Sequence, residues 1–405
     1  MNKNRDGYKE TEVGWIPEDW EVTSIGDVAN FQGGFAFKST DYQVEGTKLL
    51  KIANVQQNRL IWRDINYLPS DYLEKHSDFS ISVGDVIIAM TRPIISTGIK
   101  VCKAKEIDIP CLLNQRVGRF IIKGDLSNEY LYQSCFTRFF TENVKNLSNT
   151  TGQPNISSGQ IESIKIPIPQ LKEQQGIAEI LSTTDNHIEK LDKIIEDYQL
   201  LKKGMMQKLL TQGIGHREFK DTEIGRIPKE WEVKKFYDLF KVTSGSSLSQ
   251  KNIVEGSYPV YGGNGVNGYH NEYEFEESKL VIGRVGAYCG CIHRTTPRSW
   301  ITDNALYIKE KKYDYNDDFM YYKLVYIDLN KYANQNAQPV ISGEKIYPLV
   351  IGLPSVEEQK QIADILSLID IRIENLQQQR TNFTQLKKAL MEQLLTGKIR
   401  TIDNN

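Results

Sequence analysis

Two arginines stand directly after short apolar runs, Arg92 in Ala89-Met90-Thr91-Arg92-Pro93 and Arg284 in Val281-Ile282-Gly283-Arg284-Val285-Gly286. An arginine at a strand end presents a planar fork of N–H donors, suited to a phosphate or to the edge of a guanine. An arginine bonded to a neighbouring acidic residue is the alternative at both places. Leu113-Asn114-Gln115-Arg116 and Thr302-Asp303-Asn304-Ala305 follow at similar distances. Asn and Gln side chains match adenine and Arg matches guanine, while Asn114 and Asn304 fit a turn-forming role equally well. Residues 151–157 carry Gln153 and Asn155, and Gln338 repeats the first of these before Pro339. That loop is assigned mainly to frame or backbone contact. Lys38 after Gly33-Gly34, and Asn264, Asn267 and His270 in a Gly-rich stretch, complete the set of candidates for phosphate or base contact.

Other chemistries find no support. There is no Gly-x-x-x-x-Gly-Lys-Ser/Thr phosphate loop. Residues 263–268 spell Gly-x-Gly-x-x-Gly, but residues 269–274 do not read as the helix a pyrophosphate needs, so a surface loop is expected. No Asn-Pro-Pro-Tyr-like tetrapeptide of an amino-methyltransferase is present. His76, His187, His216, His270 and His293 form no pair at metal-ligand spacing, and the five cysteines match neither a zinc clip nor a disulfide framework. Glu277-Ser278-Lys279 is too common a triplet to mark a nuclease. The expectation is a chain without catalytic groups, metal or cofactor.

The 405 residues suggest two or three domains, and 40% hydrophobic with 10% aromatic residues is ample for folded cores. Lys+Arg number 50 against 52 Asp+Glu, a formal charge of -2, so any surface for nucleic acid must be local. No run of apolar residues is long enough to span a membrane, and the start lacks the apolar stretch of a secretory signal. A cytoplasmic protein is expected.

The sequence is written twice. Residues 8–22 return as residues 219–233, Gly14 matching Gly225 at an offset of 211. Residues 173–211 return as residues 358–396, Glu173 matching Glu358 at an offset of 185. The middles between these blocks diverge and read as strand-rich, with apolar runs near residues 84–90 and 279–283. The C-terminal segment resembles residues 209–214, which lead into the second opening block, so the sequence reads as a circle cut once.

The closing segments read as long amphipathic helices. Ile177, Leu181, Ile188, Leu191, Tyr198, Leu201 and Met205 recur at helical spacing, as do Ile362, Leu366, Ile373, Leu376, Phe383, Leu386 and Leu390. Steps of seven resemble a coiled-coil seam, with Thr184 its polar exception. About forty residues make a rod of roughly 60 Å. Two such rods are expected to pack on each other, the alternative being that each folds across its own domain.

The doubled Gly-x-Ile-Pro-x-x-Trp opening, the doubled helix beginning Glu-Gln and the divergent middles together resemble the specificity subunit of Type I restriction–modification systems. The resemblance covers essentially the whole chain. It implies an α+β fold with two pseudo-twofold-related target-recognition domains (residues 1–168 and 214–352), separated by two spacer helices (residues 169–213 and 353–400) packed as an antiparallel coiled coil. It also implies that each domain reads one half of a split double-stranded DNA target and that the helices set the gap. Two methyltransferase subunits, which use S-adenosylmethionine to modify adenine, would dock on those helices, with ATP-driven motor/endonuclease subunits joining through the complex. A fused enzyme or a purely structural scaffold are the rival readings.

Overall fold

The structure, a computed structural model, describes residues 6–148, 154–334 and 339–402, apart from the side chain of Gln250. It divides into two compact units, Met1–Lys190 with Gln379–Asn405, and Leu191–Gln378. The helices Leu171–Gln212 and Val356–Leu394 are each unbroken, and each contributes a part to both units. Pro169 and Pro354 precede them, and Gly213 and Gly397, both at positive φ, follow.

The first unit opens with a hairpin, Tyr8–Thr11 against Gly14–Pro17, which delivers Trp20 to the core. Its main sheet is antiparallel, in the order Val101–Lys103, Val86–Ala89, Val117–Ile122, Ala29–Gly33. A smaller sheet pairs Cys111–Leu113 in parallel with Thr47–Leu50, whose other edge takes Tyr67–Leu68. Apolar side chains of the main sheet pack with Tyr130, Phe140, Ile177, Leu181 and Leu394 in one core. All four residues of Val86–Ala89 are buried, as the short uninterrupted apolar run required.

The second unit repeats this plan on almost unrelated residues. Its opening hairpin is Phe219–Thr222 with Gly225–Pro228, and Trp231 is buried. The main sheet runs Ile292–Arg294, Leu280–Gly283, Ala305–Lys311, Phe240–Ser244, again antiparallel. Trp300–Ile301 pairs in parallel with Tyr258–Gly262, whose other neighbour is Gly265–His270. The Gly-x-Gly-x-x-Gly stretch is therefore the tip and second strand of a tight hairpin rather than an irregular loop, with Gly262 opposite Gly265.

Both helix starts are locked by the repeated Glu-Gln pair. Gln174 accepts the Ser127 N–H (2.8 Å) and donates to the Pro169 carbonyl (3.0 Å); Gln359 does the same with Asn316 (2.8 Å) and Pro354 (2.8 Å). Within the first unit Lys387 bonds Asp185 (2.6 Å) and Phe383 stacks on His187 (5.4 Å), so numbering rises along one helix as it falls along the other. Within the second unit Lys202 bonds Asp370 (2.5 Å) and Arg372 lies over Tyr198 (5.9 Å), again antiparallel.

The stripes hold, with a correction at one position of the repeat. Ile177, Leu181, Ile362, Leu366, Ile373 and Leu376 are buried, and Ile188, Leu191, Tyr198, Met205, Phe383 and Leu390 are half-buried. Leu201 and its counterpart Leu386 are 48% and 47% exposed, and the inward place belongs to the adjacent Lys202 and Lys387. A four-residue step from Tyr198 and Phe383 reaches the lysines, where a three-residue step would have reached the leucines. Thr184 is buried within the seam and caps its hydroxyl on the Ile180 carbonyl (3.0 Å). No helix among the described residues is long and apolar enough to cross a membrane.

Candidate nucleic-acid interface

At one end of the sheets in the first unit, four separate segments are tied into a single rim by backbone hydrogen bonds. Gly34 donates to Val117 (2.9 Å), Phe35 to Leu113 (2.9 Å), and Gln115 back to Phe35 (2.9 Å). Met90 donates to Arg116 (2.9 Å), Ile156 to Met90 (2.9 Å), and Arg92 to Pro154 (2.7 Å). Gly34 is required here, because a Cβ would lie 2.3 Å from the Leu113 carbonyl oxygen. Val117 closes a turn onto Asn114 (2.9 Å), which leaves Gln115 and Arg116 as its exposed central residues and Asn114 half-buried.

The same bonds recur in the second unit. Gly245 donates to Ala305 (3.1 Å), Ser246 to Ile301 (2.9 Å), Arg284 to Asn304 (3.0 Å), Ile341 to Arg284 (2.9 Å) and Gly286 to Pro339 (3.0 Å). Ala305 closes its turn onto Thr302 (3.1 Å), with Asp303 and Asn304 exposed at its centre.

This pattern fixes which residues correspond. Arg284 stands where Met90 does, and Arg92 stands where Gly286 does, because each pair makes the same backbone bonds. The two strand-end arginines are therefore two places out of register. Likewise Asn304 matches Arg116, Asp303 matches Gln115, and Asn114 matches Thr302. Sequence alone suggested pairing arginine with arginine and asparagine with asparagine; the hydrogen bonds show that similar residues occupy different stations.

Arg92, Gln115, Arg116 and Asn155 are exposed on the first rim, and Thr91 bridges to Asn155. Neither guanidinium, of Arg92 or of Arg116, has a hydrogen-bond or ion-pair partner among the described residues. Among the described residues no acidic side chain pairs with Arg92. Lys38 is exposed a few residues beyond the rim segment. On the second rim Arg284 is half-buried and donates to the Asp303 carbonyl (3.2 Å), while Asn264, Asn267 and Asn304 are exposed. His270 is not available: it is 6% exposed, its Nδ1 accepts the Val254 N–H (3.1 Å), and its ring meets Trp300 edge-on. Gln153 and Gln338 lie outside the described residues.

Sequence reasoning missed Phe35, which is 39% exposed on the first rim with its ring against His76 (4.7 Å) and Phe37 (5.0 Å). Its counterpart on the second rim is Ser246, and Asp303 was likewise passed over. The one available signal was the position of Phe35 directly after the Gly pair. Beneath the second rim, the Thr302 hydroxyl and His293 Nε2 are buried without hydrogen-bond partners among the described residues, and burial holds the His293 imidazole below its ordinary value. Among the described residues no group of three or more His, Cys, Asp or Glu could hold a metal ion. Exposed donors on an edge tied by backbone bonds can recognise a ligand's acceptors.

A duplicated sheet scaffold with side chains varied along one rim is the architecture of a recognition protein. The chain matches the family model described as Type I restriction modification DNA specificity domain over residues 17–197 and 228–383, and it belongs to that family of specificity subunits. It is 40% identical over 205 residues to the Type I restriction enzyme MjaVIII specificity subunit of Methanocaldococcus jannaschii, a match covering 50% of this chain and 48% of that relative. The chain thus spans about half the length of that relative in the matched region. The putative Type I restriction enzyme MjaX specificity subunit of the same organism is 29% identical over 98% of this chain and 97% of its own. Among solved structures, the crystal structure of a Type I restriction–modification S subunit from M. genitalium superposes with a TM-score of 0.62 at 16% identity, covering 93% of this chain and 96% of that one, which establishes a shared fold.

Proposed function

We propose that this chain is the DNA-addressing subunit of a Type I restriction–modification complex, each unit reading one half of a split double-stranded target. The observation carrying this reading is the pair of equivalent rims, built by the same backbone bonds and furnished with different side chains. A shared frame supports a shared task, and different donors and acceptors at matched stations give different base preferences. Lys38, Arg92, Gln115, Arg116 and Asn155 would serve one half-site, and Arg284, Asn264, Asn267, Asp303 and Asn304 the other. Gln153 and Gln338, at matching places of the repeated segment, would serve mainly frame or backbone contact.

The long helices would hold the two half-sites a helical turn or so apart, about 34 Å on B-DNA, and carry two methyltransferase subunits, with motor/endonuclease subunits joining through them. A solved structure titled for complex assembly and conformational transition of the type I R-M system shares the fold at a TM-score of 0.51 and 15% identity. This chain would supply the address and no chemistry, and would work in the cytoplasm where the DNA is. A formal charge of -2 fits a protein that shares its phosphate contacts with partners.

The test is sequencing of methylated adenines in cells expressing this chain with its neighbouring methyltransferase, against cells lacking the chain. A split motif present only with the chain is expected. An active methyltransferase in a formed complex that adds no new methylation would overturn the reading in favour of a scaffold.

A further inference from the structure

Arg92 occupies a backbone conformation that an arginine adopts at a cost. Its φ is +48°, in the left-handed region, where a side chain crowds the following carbonyl and glycine is the unstrained choice. The second unit makes that choice: Gly286, at φ +80°, donates to Pro339 (3.0 Å) as Arg92 donates to Pro154 (2.7 Å). The Arg92 side chain is exposed and has no partner among the described residues.

We propose that Arg92 is a specificity-determining residue of the first unit, giving its paired N–H donors to O6 and N7 of a guanine in the half-site that unit reads. This rests on the DNA-addressing function proposed above. A phosphate can be met by a flexible lysine at many angles, so strain at one backbone position gains little for such a contact. A guanine edge instead demands the guanidinium fork in one plane and one place. Arg92 is held by its own bond to Pro154 and, two residues earlier, by the bonds of Met90 to Arg116 and Ile156. With Gly286 at the matching station, the second unit has no equivalent contact, so the two half-sites differ at this position by construction.

The experiment uses the full chain with its methyltransferase partner, comparing wild type, Arg92→Gly and Arg92→Lys by genome-wide adenine-methylation sequencing, with thermal unfolding of each purified chain. Glycine fits the backbone, so Arg92→Gly should melt no lower than wild type. Both variants should relax the requirement for one guanine in one half-site, by about tenfold or more in methylation ratio, and leave the other half-site intact. An unchanged motif in both variants would overturn the proposal. So would a uniform loss of methylation across all sequences with the motif preserved, which would mark Arg92 as a phosphate contact. A wild-type chain that directs no split motif would instead remove the underlying function, and is told apart from these outcomes by the control alone.

Discussion

The two units close on the same design with different ions. In the first, the wholly buried Glu173 accepts the Trp20 indole N–H (2.9 Å) and a bidentate pair of hydrogen bonds from Arg400, Nε at 2.6 Å and Nη2 at 2.9 Å. Arg400 turns its remaining donors to Asp19 (3.0 and 2.6 Å), whose carboxyl it holds below the usual carboxylate value. In the second, Glu358 accepts from Trp231 (3.1 Å), but His216 stands in for the arginine at 2.9 Å, its other nitrogen 3.4 Å from Glu230. Both closures fasten the segment after a long helix to the opening hairpin's tryptophan. An arginine brings a fork of five N–H donors there, whereas an imidazole offers only its two ring nitrogens. The neighbouring helices differ in the same spirit: Lys323 is buried and donates to the Leu210 carbonyl (2.7 Å), where the first unit has Ser134 bonded to Tyr130 (2.8 Å). The same frame therefore tolerates different electrostatic solutions, and the two units should respond differently to the loss of a charge and to pH.

Removing the carboxylate gives the largest contrast. Glu173→Gln leaves Arg400, whose side chain is 16% exposed, with only Asp19 to offset it, and should destabilise the first unit by about 3 kcal/mol. Glu358→Gln should cost the second unit about 1 kcal/mol, because the glutamine oxygen can still accept a hydrogen bond and no arginine is left without its carboxylate. Denaturant titration followed by peptide-resolved hydrogen exchange would report each unit separately; equal losses would sink the comparison. Alkaline pH comes next. Burial lowers the Lys323 ammonium from 10.5 to about 8. Between those values the unfolded chain holds the proton that the folded chain has released, so the second unit gains stability as pH rises, by about 2 kcal/mol from pH 8 to about 9.5. In the first unit, burial raises the thiols of Cys102, Cys111 (to about 12) and Cys135 above 9.0. Above pH 9 the unfolded thiols ionise first, so that unit loses stability. Exchange protection corrected for the intrinsic base-catalysed rate should rise in the second unit over the Lys323 range, and Lys323→Met should abolish the gain. No rise in the wild-type chain would show that burial of Lys323 does not govern the response.

The frame was legible because it was repeated. Glu173 and Glu358, Gln174 and Gln359, Trp20 and Trp231 make matching bonds in the two units, so their types and spacing survive the duplication. The long helices declared themselves through heptad spacing. The rims were legible only as regions. Apolar runs located the strand ends, but correspondence between rims is set by backbone bonds, which residue type does not show; hence Arg284 matches Arg92 by residue type and Met90 by its backbone bonds. His270 looked polar and available because a sequence does not show that Trp300 and the Val254 N–H enclose it.

The smallest expected effect concerns Leu201 and Leu386, which the stripe placed inside and the structure places outside. The inward stations are taken by Lys202 and Lys387, each bonded to an aspartate of the facing helix segment within its unit. A leucine about half exposed contributes little to packing, so Leu201→Gln or Leu386→Gln should change stability by less than about 0.5 kcal/mol. Lys387→Ala, by contrast, leaves Asp185 half-buried with Gln133 (2.9 Å) as its remaining bond and should cost more than either leucine variant. If the helices carry methyltransferase subunits, an exposed leucine at the same repeat position in each unit is a place for a partner to bury. Co-purification of the methyltransferase should then fall in both glutamine variants while the melting curve of the chain alone stays put. A stability loss above about 1 kcal/mol would mean that the leucines do pack between the helices after all, and that the four-residue step to the lysines is not the register the chain uses in solution.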